Sequence, residues 1–186
     1  TAEELRTREP DAKKNFRAKI VVVGSEMDDP EFTSLIEDSG ALVVADRYCF
    51  GALPGRQEIV IKDGEDVLTQ ICMHYLKTSQ CPRYMSHEKV QERRDYVKAL
   101  VEEYNADTVI MYDQISCKGM DGLAGIFDDQ AREHNVNFIW VKQDLMDPRT
   151  ISRRDMREQV NKYMQTVLQE EPLDASLLDF EDDLAW

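Results

Sequence analysis

The chain has 186 residues, of which 42% are hydrophobic, and it carries a formal net charge of −14 at pH 7. That length suits one ordinary domain with a proper buried core. The negative charge disfavours nucleic acid and anionic membranes as partners, because their phosphates would repel this surface. No apolar run reaches the roughly 18 residues that a membrane span needs, and no secretory leader is visible. We therefore expect a cytoplasmic protein.

The cysteine pattern excludes one class of protein. Four cysteines stand at uneven spacings and form no C-x-x-C motif: Cys49, Cys72, Cys81 and Cys117. In a chain this long they do not resemble a disulfide-stapled mini-domain, and they fit reduced thiols or metal ligands. The three histidines show no zinc-ligand spacing. P-loop, G-x-S-x-G and G-x-G-x-x-G motifs are absent, so the sequence carries no familiar nucleotide or hydrolase signature.

The first part of the chain predicts a connector followed by alternating strands and helices. Residues 1–17 predict a connector helix, and residues 19–24, mostly isoleucine and valine, predict a buried strand. Asp29 can cap the next helix, Pro30–Ser39, which begins with its proline. Residues 41–45 predict the second strand.

The middle of the chain is less regular. Residues 51–64 contain several glycines and a proline and predict a long loop, in which Glu58–Ile61 is a possible edge strand. A helix is expected over Asp66–Leu76. Its Cys72 lies between Ile71 and Met73, which predicts a buried, inert thiol. The stronger apolar stripe of residues 87–104 predicts a longer helix.

The stretch from Asp107 to Asp121 combines a buried strand with a cysteine-containing loop, and it is the most informative part of the sequence. Its strand, at residues 108–112, ends abruptly, and Cys117 follows within a few residues. A helix over Leu123–Glu133 comes next. Residues 137–141 predict a fourth strand, and residues 152–169 predict the last helix.

The alternation of strand and helix predicts the fold class. Strands that alternate with helices pair in parallel through right-handed crossovers. We therefore predict an α/β three-layer sandwich over residues 18–169. Its sheet has four or five mostly parallel strands, in the flavodoxin/Rossmann-like class.

Residues 170–186 form an acidic C-terminal extension with seven acidic residues and no basic one. The same segment carries several large apolar residues: Leu177, Leu178, Phe180, Leu184 and Trp186. Two interpretations remain open. The segment is either a disordered acidic end or a segment that docks on a neighbouring subunit or domain.

Candidate site residues collect where the predicted strands end. Open parallel sheets bind ligands along the carboxyl edge of their strands. Ser25 and Glu26 follow the first strand, Cys49 the second, and Cys117 the third. Ser25 and Glu26 are candidates for the substrate edge, although an acidic loop disfavours a phosphate cradle.

Three stretches resemble a known family. Ile20–Pro30 reads IVVVGSEMDDP, Ala41–Gly51 reads ALVVADRYCFG, and Val109–Gly119 reads VIMYDQISCKG. In this order and spacing they resemble the 2-hydroxyacyl-CoA dehydratase and benzoyl-CoA reductase family, over roughly residues 18–168. The chain is similar to the C-terminal half of a catalytic subunit of that family.

The resemblance implies an activity and a cofactor. Family subunits are two-domain α/β proteins that pair with a homologous second catalytic subunit. They hold a 4Fe-4S cluster by two cysteines of the N-terminal domain and one of the C-terminal domain. Cys117 matches the C-terminal ligand, so the resemblance implies that the other thiolates lie outside the clear motifs of this chain. An ATP-dependent activator protein donates an electron. The substrate is a CoA thioester, which is dehydrated or reduced through a ketyl-type radical.

The candidate cluster ligands can be ranked. Cys117 comes first, because it follows a buried strand in the loop that matches the family's C-terminal ligand, and Lys118 beside it favours the thiolate that binds iron. Cys49 is the second choice, since it lies on the same sheet edge one strand earlier. Cys81 is the third, and Cys72 is not expected to take part.

Three interpretations of function remain open. The last helix reads SRRDMREQVNKYM, where dehydratase subunits usually show a Gly-Gln start. That difference and the acidic extension favour benzoyl-CoA reductase over the dehydratase. The second interpretation is a non-catalytic flavodoxin-like binding module with incidental thiols. The third is an enzyme domain that binds a mononucleotide or flavin at the same edge.

Overall fold

The strands in the described part of the chain all run parallel in one four-stranded sheet of order β2-β1-β3-β4. The structure is a computed structural model that describes residues 2–9, 15–25, 27, 30–49, 58–78, 81, 86–147 and 149–178. The strands are β1 (Lys19–Gly24), β2 (Leu42–Arg47), β3 (Thr108–Gln114) and β4 (Phe138–Gln143). The predicted parallel α/β sandwich is confirmed, with four strands among the described residues.

Seven described α-helices accompany the sheet: α1 (Ala2–Thr7), α2 (Glu31–Asp38), α3 (Val67–Thr78), α4 (His87–Tyr104), α5 (Lys118–Asp121), α6 (Ala124–His134) and α7 (Arg153–Thr166). A short 3₁₀ helix follows at Ala175–Leu178. Helix α2 begins one residue after Pro30, and the predicted cap Asp29 lies outside the described residues. The described helices include none that is long and apolar enough to cross a membrane.

Alternating side chains of the central strands supply two separate cores. On one face Ile20, Val22, Ile110 and Tyr112 pack against α2 and α7, and on the other Val21, Val23, Val109 and Met111 pack against α4, α5 and α6. Each of these strand residues is at most 1% exposed. A strand that is covered on both faces reads as a continuous apolar run, which is why β1 and β3 are evident in the sequence.

Two predictions for the middle of the chain are wrong. Glu58–Ile61 is not a strand, and Val60 and Ile61 are exposed. Cys72 is exposed instead of buried, because none of the 12 residues of α3 reaches either core. Several apolar side chains of that helix face outward: Val67, Leu68, Met73, Tyr75 and Leu76.

A buried arginine joins the two ends of the domain. The Arg17 guanidinium, 1% exposed, donates to Asn161 Oδ1 at 2.5 Å and to the carbonyl of Ser39 at 2.9 Å. It also donates to the carbonyl of Glu170 at 2.6 Å. The beginning of the acidic extension is therefore tied to α2 and α7. Phe180, Leu184 and Trp186 lie outside the described residues, so the docking of the extension stays a prediction.

Strand β4 forms one edge of the described sheet. The carbonyl of Asn137 accepts a hydrogen bond from Val109 of β3, and that of Gln143 accepts one from Ile115, the residue after β3. Because carbonyls alternate in direction along a strand, the carbonyl of Trp140 points away from β3. Gln159 of α7 donates to it at 2.8 Å.

Gly24, the last residue of β1, allows β1 and β3 to approach closely. Its φ is +153°, and a Cβ atom built on it would lie 2.1 Å from the carbonyl oxygen of Tyr112. A side chain at position 24 would therefore require the backbones of the two central strands to move apart.

We expect Gly24→Ala to lower the free energy of unfolding by about 3 kcal/mol, since it adds a clash with rigid backbone to an unfavourable φ. Gly125→Ala in α6 is the matched control. A Cβ there meets nothing within 4 Å, so alanine should stabilise the helix by up to ~1 kcal/mol. Urea unfolding followed by circular dichroism measures both. Equal stability of the two variants would contradict the close approach.

Candidate functional site at the carboxyl edge of the sheet

The chain changes direction across the sheet between β1 and β3, and we call the carboxyl ends of these two strands the crevice. β1 connects to β2 on one side, and β3 connects to β4 on the other. In open parallel sheets such a switch point is the usual ligand site. The carbonyl of Gly24 lies at the end of β1 beside this point, and several side chains converge on it.

Cys49 reaches the crevice from the loop after β2. It is half-buried, and its Sγ donates to the carbonyl of Gly24 at 3.6 Å. Burial raises the pKa of this thiol, while the nearby positive charge of Arg93 opposes that increase. Cys49, the second-choice ligand, therefore follows β2 in the chain but lies next to the end of the neighbouring strand β1.

Cys117 directly precedes the short helix α5 and is the third residue after the end of β3. Its backbone N–H donates to the carbonyl of Gln114 at 2.9 Å, and its own carbonyl accepts from Met120 at 2.9 Å. Ser116, just before it, has a φ of +70°, which is unusual for a residue with a side chain. This tight turn places the half-buried Cys117 against the core formed with α4, α5 and α6.

Cys49, Cys81 and Cys117 are close enough to Arg93 to influence its pKa, and Cys81 and Cys117 also influence the pKa of Cys49. Burial raises the pKa of Cys49, and the charges of Cys81 and Cys117 raise it further. Burial lowers the pKa of Arg93, and the charges of the same three thiols oppose that decrease. Cys81, like the other two, is half-buried. Within the described part of the chain, no three His, Cys, Asp or Glu residues surround a position for a single metal ion. The thiols are thus neighbours that do not enclose one ion.

Two buried arginines on the same side of the sheet are missing from the sequence prediction. Arg93 of α4 is 1% exposed and donates to the carbonyl of Gly24 at 3.5 Å. Arg47, at the end of β2, is 5% exposed, and its guanidinium carbon lies 4.5 Å from the centre of the Tyr96 ring. Arg93 falls on the apolar stripe that includes Val90 and Val97. A charged residue on a core-facing stripe was the signal that could have revealed it.

A carboxylate at the end of β3 is held by a lysine of β4. Lys142 Nζ lies 3.1 Å from Asp113 Oδ2 and 3.5 Å from Asp121 Oδ1. Asp113 is 2% exposed, and burial raises the pKa of its carboxyl group. The hydrogen bond from Lys142 to Asp113 raises the pKa of the lysine. Because Asp121 belongs to α5, this cluster connects β3 and β4 to the helix that Cys117 precedes.

Of the two residues predicted at the substrate edge, Ser25 is described by the structure and Glu26 is not. Ser25 is 3% exposed, and its Oγ accepts a hydrogen bond from the backbone N–H of Gln114 at 3.2 Å. Its own N–H donates to the carbonyl of Tyr112 at 2.9 Å. The hydroxyl therefore joins β1 to β3 at the crevice, while Glu26 lies outside the described residues. A role of either residue in substrate binding stays a prediction.

The fold and the site together define a parallel α/β domain with cysteine thiols at its ligand-binding edge. The model of the family described as 2-hydroxyglutaryl-CoA dehydratase, D-component, matches residues 1–167, and the chain belongs to this family. No curated protein matches the chain. The resemblance found in the three sequence stretches is thereby confirmed. The family contributes subunits to dehydratase enzymes with several components.

The raised pKa of Asp113 leads us to expect a specific dependence of stability on pH. Its pKa in the folded chain lies above the ordinary 3.8, so between those two pKa values the folded state binds more protons than the unfolded state. The contribution of Asp113 to stability therefore falls as pH rises through this window. We expect Asp113→Asn to remove this contribution.

The measurement is urea unfolding of both proteins between pH 4 and pH 8. The free energy of unfolding of the wild type, minus that of Asp113→Asn, should decrease as pH rises above about 4 and then become constant. Subtraction cancels the other carboxylates, including Asp144, whose pKa is lowered by backbone hydrogen bonds. A difference that grows with pH would show that the pKa of Asp113 is lowered instead.

Proposed function

We propose that this chain is part of a 2-hydroxyacyl-CoA dehydratase, and that its thiols bind an iron–sulfur cluster of the 4Fe-4S type. The observation that carries the proposal is that Cys49 Sγ and the Arg93 guanidinium both donate to the carbonyl of Gly24, next to the helix that Cys117 precedes, in a chain of the dehydratase family. Cysteine thiolates are the usual ligands of such clusters. A cluster contains several iron atoms, so its thiolates need not enclose a single ion.

Cys117 is the first candidate ligand, and Cys49 and Cys81 are the others. Each is half-buried and hence open to an inorganic core that lies in the crevice. The Arg93 charge favours the thiolate form of Cys49, which is the form that binds metal. A bound cluster would supply single electrons at low potential to the thioester carbonyl of the substrate. The chain's own residues would position the cluster and limit access of water to it.

The proposed partners follow from the family. They are a homologous second catalytic subunit, an ATP-dependent activator that donates electrons, and a CoA thioester. The outward-facing apolar side chains of α3 support a partner subunit or domain, because large apolar patches on a free surface are unusual. The acidic extension, residues 170–186, is a second proposed contact. A cytoplasmic location agrees with four free thiols.

Benzoyl-CoA reductase is the second candidate function, which the sequence of α7 favours. The two reactions differ in electron balance. Loss of water from a 2-hydroxyacyl thioester to give an enoyl thioester consumes no net electrons, so the electron returns after each turnover. Reduction of an aromatic ring to a diene consumes two electrons and two protons. Reductant consumed per product therefore distinguishes them, with a catalytic amount expected for the dehydratase.

We expect Cys117→Ser to lose part of the iron and sulfide and almost all turnover while the fold is retained, because serine is a poor iron ligand. The variant is made in the intact complex, which is purified without oxygen. Iron, acid-labile sulfide, turnover and circular dichroism are measured. Cys49→Ser and Cys81→Ser should show losses of the same kind.

Cys72→Ser is the matched control, because Cys72 is the exposed cysteine of α3. It should keep full iron content and activity. Full iron and activity in Cys117→Ser would refute the proposal. Wild-type protein without iron would favour the flavodoxin-like module, and flavin absorbance without sulfide would favour a flavin domain.

A further inference from the structure

The side chain of Arg93 is buried in a position that normally belongs to an apolar residue. It lies on the core-facing stripe of α4 and is 1% exposed. Removal of a charged group from water is unfavourable unless its surroundings compensate, and burial lowers the pKa of this guanidinium. A buried charge therefore indicates that the position needs a cation.

The contacts of Arg93 connect the elements that carry the thiols. Its Nη2 donates to the carbonyl of Gly24 at 3.5 Å, and the Sγ of Cys49 donates to the same oxygen at 3.6 Å. The same Nη2 lies 3.9 Å from Met120 Sδ in α5, the helix that Cys117 precedes. One guanidinium thus contacts the strand end that Cys49 contacts and the helix that follows Cys117.

We propose that Arg93 is the positioning residue of the site that contains Cys49, Cys81 and Cys117, and that its guanidinium holds the Cys49 and Cys117 loops together and supplies a positive charge beside their thiols. The identity of the group that the thiols bind rests on the proposed function, but the positioning does not. Arginine suits this role better than lysine, because its planar fork donates in several directions at once.

The proposed charge has a consequence for a bound cluster. Reduction adds a negative charge, and a fixed cation nearby stabilises the reduced form. Net charge and hydrogen bonds to the sulfur atoms are among the factors that set cluster potentials. Arg93 should therefore raise the reduction potential of whatever iron–sulfur group the site binds.

The first experiment measures thiol positions in the cluster-free chain. All proteins carry Cys72→Ser, so that only the three site thiols react with a short bismaleimide. The ratio of cross-linked to singly modified chain, obtained by intact mass and peptide mapping, reports whether two thiols lie within reach of one reagent. It does not depend on how fast the first thiol reacts.

We expect Arg93→Met to lower this ratio several-fold and Arg93→Lys to lower it less. Arg94→Met is the matched control, because Arg94 is the next residue of α4 and pairs with Glu133 of α6 at 3.0 Å. It should leave the ratio unchanged. Equal ratios in Arg93→Met and Arg94→Met would overturn the proposal. If Arg93→Met does not fold, as judged by circular dichroism, the comparison of Arg93→Lys with Arg94→Met decides in the same way.

The second experiment uses the intact complex loaded with iron. Arg93→Met should weaken retention of iron about tenfold, the usual cost of losing a residue that supports metal ligands. The iron that remains should show a more negative reduction potential in a titration followed by electron paramagnetic resonance. Arg93→Lys should keep most of the potential, and Arg94→Met all of it. An unchanged potential in Arg93→Met would refute the role of its charge.

The two proposals fail in different ways. A wild-type chain that binds no iron but loses cross-linking in Arg93→Met would refute the cluster and support the positioning role. A wild-type chain that binds iron, with Arg93→Met behaving like Arg94→Met in both experiments, would support the cluster and refute the positioning role.

Discussion

The close approach of β1 and β3 at Gly24 is the constraint on which the candidate site depends. With no side chain at this position, the end of β1 lies directly against Tyr112. Its carbonyl then accepts from both Cys49 and Arg93, and the next residue, Ser25, bonds to β3 through its backbone and its hydroxyl. A single strand end therefore fixes the separation of the central strands and the positions of the groups around the crevice.

The sheet was predictable from sequence because β1 and β3 are buried on both faces and read as uninterrupted apolar runs. The sequence also predicted the helix α3, but it wrongly predicted that Cys72 of this helix is buried. Apolar side chains at helical spacing do not show whether another element of the same chain covers them. Cys49 and Cys117 were placed at the correct edge by strand order alone. The burial of Arg93 had a signal in its place on the core-facing stripe of α4, but its contact with the end of β1 was not predictable, because that contact depends on the packing of elements distant in sequence.

The candidate site contains buried cations although the chain as a whole is acidic. The protein as a whole carries −14, yet Arg47 and Arg93 are buried beside the ends of the strands. Surface carboxylates are screened by salt over about 10 Å, whereas a buried cation acts in a medium that screens it much less. Cys49 is therefore close to a buried positive charge within an acidic protein. Such a charge suits groups that gain negative charge during a reaction.

The hydrogen bond from Gln159 to the carbonyl of Trp140 has a consequence for solubility. The outward carbonyls of an edge strand are a template on which a strand of another molecule can pair, and proteins protect such edges from aggregation. The α7 amide occupies one of these acceptors in the middle of β4. An incoming strand would have to displace it, and the resulting gap in the ladder would weaken pairing. The hydrogen bond from Gln159 therefore disfavours the pairing of a further strand with β4.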